Sequence, residues 1–105
     1  MTRPIRLEHS VIDDWLSRHD GWLLVEGHLV RDVLTTSHPS AASLVQSQIP
    51  LAQRLDHHAI LTLGYRDLRV ELWTHDCDGI TQLDLVYAEA FDQLVTELPD
   101  FRAQD

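Results

Sequence analysis

Alternation of apolar and polar positions is clearest from Leu68 to His75. Leu68, Val70, Leu72 and Thr74 fall on one side of an extended chain; Arg69, Glu71, Trp73 and His75 fall on the other. This predicts a half-buried strand. Ile60 to Tyr65 is a second run of strand length, joined to the first at Arg66-Asp67. Earlier, Trp22 to Val25 and the β-branched run through Leu29, Val30, Val33 and Leu34 flank Glu26-Gly27. That arrangement predicts an antiparallel hairpin over about 21–26 and 28–35.

Helical spacing separates these hairpins. Ser10 is placed to cap a first helix, with Asp13 and Asp14 in its opening turn and Val11, Trp15 and Leu16 as a short apolar stripe. Asp20-Gly21 stops it. Ser37 to Ser40 form the entrance to a second helix, with Pro39 in the first turn, where a missing N–H is harmless. Val45, Ile49, Ala52 and Leu55 carry its periodicity to about Asp56, through Pro50, so a single bent helix is expected. Thr81 with Asp84 three residues later resembles a capping box, with Asp in place of the usual Glu, and Ile80 can staple onto Leu85. Leu83, Tyr87, Ala90, Phe91, Leu94 and Leu98 predict one face of a last helix, ended by Pro99.

The order is therefore α-β-β-α-β-β-α. It predicts an α+β domain over 10–98, a four-stranded antiparallel sheet with three helices on one face. A loosely held N-terminal arm, 1–9, and a frayed C-terminal tail, 99–105, are expected on either side. The open sheet edges make edge pairing between two copies, a homodimer, an expectation.

Composition narrows the function classes. The formal charge is −9, and all eight cations are arginine. A direct nucleic-acid partner is not expected, because phosphate contacts need a basic patch. No apolar run approaches the roughly 20 residues that span a bilayer. The first ten residues lack an apolar signal core and the chain has a single cysteine, Cys77, so a cytoplasmic location is expected.

Candidate chemistry concentrates between Asp56 and Asp84. His57 and His58 stand at the end of the second helix, and His75 ends the alternating run. If these elements pack side by side, three imidazoles that titrate near neutrality meet at one end of the sheet. Tyr65 and Trp73 could wall a flat heterocycle. The plainer alternatives stand beside these: solvated or capping histidines, Asp84 as a helix cap, aromatic packing in the sheet, and an inert Cys77. His9, His19, His28 and His38 are read as surface residues. A metal site is not expected, since successive helical positions point about 100° apart and no ligand motif is present.

The His57-His58 pair, Tyr65 eight residues after its first member, Thr74-His75-Asp76, Gly79-Ile80-Thr81 and Asp84 resemble the pterin-4a-carbinolamine dehydratase family. Gly21-Trp22 and Arg31 resemble that family's N-terminal half. The resemblance implies this same α+β fold, dimers through sheet pairing, and tetramers through helices. It implies a hydro-lyase that dehydrates 4a-hydroxytetrahydropterin with no metal or organic cofactor. His57 and His75 would be the main acid/base residues and His58 would bind or polarise the pterin. Tyr65, Trp73, Asp76 and Asp84 would bind or orient it. Three positions depart from the family pattern: Gln53 where an acid is usual, Ala59 where proline is usual, and Leu61 where an aromatic is usual. The same fold serves RuBisCO assembly factors and a transcription-factor dimerisation cofactor. A non-catalytic, carboxysome-associated chaperone for RuBisCO subunits is therefore the alternative.

Overall fold

The computed structural model describes residues 5–98. Helix α1 (His9–Ser17) precedes strands β1 (Trp22–Val25) and β2 (His28–Leu34). Helix α2 (His38–Leu55), strands β3 (Ile60–Leu63) and β4 (Asp67–Leu72), and helix α3 (Gln82–Glu97) follow. All strand pairs are antiparallel, in the order β1-β2-β4-β3. The expected fold class and element order are those observed.

Register explains the layering. Leu29 faces Leu72, and Val33 faces Leu68, so these four side chains are buried on one side of the sheet. Trp22, Val70, Leu44, Leu51, Tyr87 and Phe91 join the same core. The β1–β2 turn uses two left-handed residues, Glu26 at φ 51° and Gly27 at φ 82°. A two-residue turn of that hand matches the twist of the strands it joins.

The second helix is continuous through Pro50, as the unbroken periodicity implies. Ser37 caps it, its Oγ accepting from the Ser40 N–H at 3.2 Å, and Pro39 occupies the first turn. At the other end Asp56 adopts a left-handed conformation, φ 50°. There the Asp56 N–H donates to Gln53 O at 3.3 Å and the His57 N–H to Ala52 O at 3.0 Å, a Schellman closure.

Several local expectations shift. Helix α1 starts a residue before Ser10, because the Glu8 carbonyl already accepts from the Val11 and Ile12 amides. Glu8 is the cap position, no acid lies in the first turn, and the buried residues are Ile12 and Trp15, with Val11 exposed. In α3 the buried stripe is Asp84, Leu85, Tyr87, Ala88, Phe91 and Val95. Tyr87 and Phe91 are as expected, but Leu83, Ala90, Leu94 and Leu98 lie only at its margin. The helix is turned so that Asp84 enters the core. The approach to α1 is also tied down: the Leu7 N–H donates to Ile80 O at 2.8 Å, and Arg6 Nη2 to Cys77 O at 3.0 Å. The expected C-terminal tail, 99–105, lies outside the described residues, as do the first four residues of the arm.

Candidate active site

The site begins with a buried carboxylate. Asp84 is inaccessible to solvent and accepts three hydrogen bonds. Its Oδ2 takes the Thr81 backbone N–H at 2.9 Å, completing the capping box at the start of α3. The same oxygen takes the Thr74 hydroxyl at 2.8 Å, and Oδ1 lies 2.6 Å from His57 Nε2. Thr74 and Thr81 hydroxyls are 2.8 Å apart. Since Thr74 spends its proton on the carboxylate, the Thr81 hydroxyl donates to Thr74 and keeps a lone pair for the Leu83 N–H, 3.2 Å away. The end of β4, the start of α3 and the link after α2 therefore meet at one carboxylate.

That contact selects the neutral imidazole's tautomer. An ionised carboxylate only accepts, so Nε2 of His57 carries the proton and Nδ1 holds the lone pair. His57 is 8% exposed and lines a pocket of about 510 Å³. His58 and His75 line the same pocket and are exposed; Asp76, Ile60 and Leu83 complete much of its wall. The three histidines thus come together at one end of the sheet. They do so without sharing a helix. The Schellman closure ends α2 at Leu55, so His57 and His58 stand in the link to β3, and the helical angle between them does not apply. Among the described residues, no three His, Cys, Asp or Glu side chains are grouped to hold a metal.

The other expected residues divide. Trp73 adjoins the pocket, its ring 4.5 Å from that of His75. Asp76 sits in a short 3-10 turn, His75–Cys77, that bends the chain out of β4. Tyr65 is elsewhere. It is 78% exposed at the β3–β4 turn, the opposite end of the hairpin from Ile60 and His75, and its ring neighbour is His38. An eight-residue spacing placed it in the motif, but four residues of β3 carry it the length of the strand away from the pocket.

Spacing also hid some contributors. Thr74 was legible as an inward strand position and as part of the motif, but not as the donor whose hydroxyl completes the carboxylate's bonds. His28, read as a surface residue, lies parallel to Trp73 at 3.8 Å and places Nδ1 2.5 Å from Glu71 Oε2. Gln53, Ala59 and Leu61, the positions that depart from the family pattern, line one further cleft of about 200 Å³. It shares His58 and Ala59 with the histidine pocket, and its floor includes Gln48 and Tyr87. The Tyr87 hydroxyl donates to Gln48 Oε1 at 2.7 Å, and burial pushes its pKa up to about 12.

The site is thus a carboxylate-held histidine among three around an open pocket in an α+β domain. Residues 5–94 match the model of the family described as pterin 4 alpha carbinolamine dehydratase. The chain belongs to that family. It is 30% identical over 90 residues to a Chloroflexus aurantiacus protein named "Putative pterin-4-alpha-carbinolamine dehydratase", covering 86% of this chain and 97% of the relative. A Metallosphaera sedula protein of the same name is 35% identical over 89 residues, covering 85% and 93%. Among solved structures, a transcriptional coactivator/pterin dehydratase from Brucella melitensis superposes with a TM-score of 0.82 at 27% identity, covering 86% of this chain and 98% of that one.

Proposed function

We propose that the protein dehydrates 4a-hydroxytetrahydropterin to the quinonoid dihydropterin by histidine acid/base catalysis. The reaction removes a ring N–H proton and expels the 4a-hydroxyl as water, so it needs one base and one acid within reach of the same heterocycle. The observation that carries the reading is the His57 Nε2–Asp84 contact of 2.6 Å beside a pocket that His58 and His75 also line. Asp84 holds the His57 tautomer, leaving Nδ1 as a lone pair that can take a proton. His75, exposed on its turn, can return one to the leaving hydroxyl, and His58 binds or polarises the pterin. The steps balance: the pterin loses one N–H proton and one hydroxide, and water leaves.

A direct dehydration assay tests this, with His57→Ala, His58→Ala and His75→Ala beside the wild type. A wild type no faster than buffer would sink the proposal. The alternative role, in RuBisCO assembly, draws on the lysine-free, acidic sequence and needs the fold without the proton chemistry. Raised yield of assembled RuBisCO from an inactive triple-histidine variant would favour it.

A further inference from the structure

The face of the sheet away from the core carries His28 and Glu71, two side chains that the dehydration chemistry does not use. Val30 and Glu71 are register partners, and Ile60 faces Glu71 from the other side. Two residues along each chain, His28 and Trp73 come opposite one another on that same face. Their rings stack 3.8 Å apart and 4° from parallel. The Glu71 carboxylate lies 2.5 Å from His28 Nδ1, so the imidazole is fixed in its own plane as well as against the indole. The indole in turn lies 4.5 Å from the His75 ring, tilted by 40°.

His75 needs such support. It is exposed, it stands on a single turn of 3-10 helix, and among the described residues no side-chain hydrogen bond holds its ring, whereas His57 is buried against Asp84. An unrestrained imidazole there samples several rotamers, and each one away from the pocket removes it from proton transfer. Trp73 is the ring that bounds it, and His28 with Glu71 is what bounds Trp73.

We infer that His28 and Glu71 are positioning residues for His75, acting through the Trp73 ring. His28 is not among the residues that line the histidine pocket. It is clamped between a carboxylate and an indole, and the indole restricts the imidazole at the pocket mouth. The inference rests on the dehydratase reading for its kinetic consequence and is independent of it for its structural one.

The variants are His28→Ala, which removes stack and hydrogen bond, and His28→Phe, which restores a flat ring. Glu71→Gln keeps an acceptor for the imidazole. The ring-proton resonances of His75 report its place beside the indole whether or not the protein is active. His28→Ala should move them toward the values of an exposed histidine, and His28→Phe should largely restore them, with the thermal midpoint confirming a folded chain. In the dehydration assay kcat should fall on the order of tenfold in His28→Ala with KM nearly unchanged, since pterin binding is left intact. Glu71→Gln should fall less than His28→Ala. Unmoved His75 resonances in folded His28→Ala overturn the inference, as does a moved resonance with undiminished kcat. Moved resonances in a protein whose wild type has no dehydratase activity would support the positioning contact and reject the catalytic reading.

Discussion

The Nε2 of His57 lies 2.6 Å from Oδ1 of Asp84, with the carboxylate sealed from solvent and the imidazole nearly so. One contact thereby joins the link after α2 to the first turn of α3 and sets a proton position at the pocket. Asp84→Asn tests both roles. An amide offers one acceptor oxygen and an NH2 where Thr81 N–H, Thr74 O–H and His57 N–H all donate. With the oxygen taking the Thr81 N–H and Thr74 O–H, the NH2 donates to His57 Nε2 and imposes the opposite tautomer, and replacing a charged acceptor by a neutral one in this buried network costs about 1–3 kcal/mol. Urea unfolding should show that loss, and dehydratase kcat should fall more than the fraction unfolded accounts for.

Thr81→Ala separates cap from site. It removes the hydroxyl that accepts from Leu83 N–H but leaves the His57–Asp84 contact in place. The expected loss is about 0.5–2 kcal/mol of stability, with a much smaller change in kcat than Asp84→Asn produces. Equal kinetic damage in both variants would contradict the division.

For the histidines, removal of a positioned acid or base should lower kcat by about 10²–10⁴-fold, expected for His57→Ala and His75→Ala. His58→Ala should act chiefly on KM. Tyr65→Ala should leave both constants unchanged, because the ring is exposed at the far end of the hairpin. A large kinetic effect there would mean that the site extends well beyond the pocket described.

Stability should fall at alkaline pH through Tyr87. Burial raises its pKa from 10.0 to about 12, so above pH 10 the unfolded chain releases a proton that the folded chain retains. The contribution is fully present below pH 10 and is lost between pH 10 and about 12, at up to about 1.4 kcal/mol per pH unit. Tyr87→Phe should abolish that part of the slope. At neutral pH the variant loses about 1 kcal/mol, since Gln48 Oε1 loses its donor. Denaturant midpoints across this range provide the measurement.

Pro50 sits inside a helix that stays continuous, so its missing N–H leaves one α2 carbonyl short of a backbone partner. Pro50→Ala should stabilise the protein by about 1–3 kcal/mol, an increase visible as a raised thermal midpoint.

What was legible in the sequence was local. The inward run Leu68, Val70, Leu72, Thr74, the Ser37 entrance and the Thr81–Asp84 box each depend on neighbours within a few residues, and each is present. The stripe of α3 differs from the apolar periodicity because polar Asp84 enters the core, and its partners Thr74 and His57 come from other elements. His28 passed for a surface residue because Glu71 and Trp73 become its neighbours only through the β2–β4 register. Tyr65 lies away from the pocket for the converse reason: a short spacing along a strand is a long distance in space. Helix α2 stopped short of His57 because Asp56 tolerates a left-handed backbone, a habit more usual for glycine.

The capping carboxylate has an evolutionary corollary. A chain of this fold without pterin chemistry would still need Asp84, Thr74 and Thr81 to start α3 against β4, so those residues do not depend on an activity. His58 and His75 are exposed at the pocket and outside that frame, so on the proposed reading they would be released first once catalysis no longer mattered. In a lineage of such proteins, those two histidines are the record of whether the reaction is still being selected.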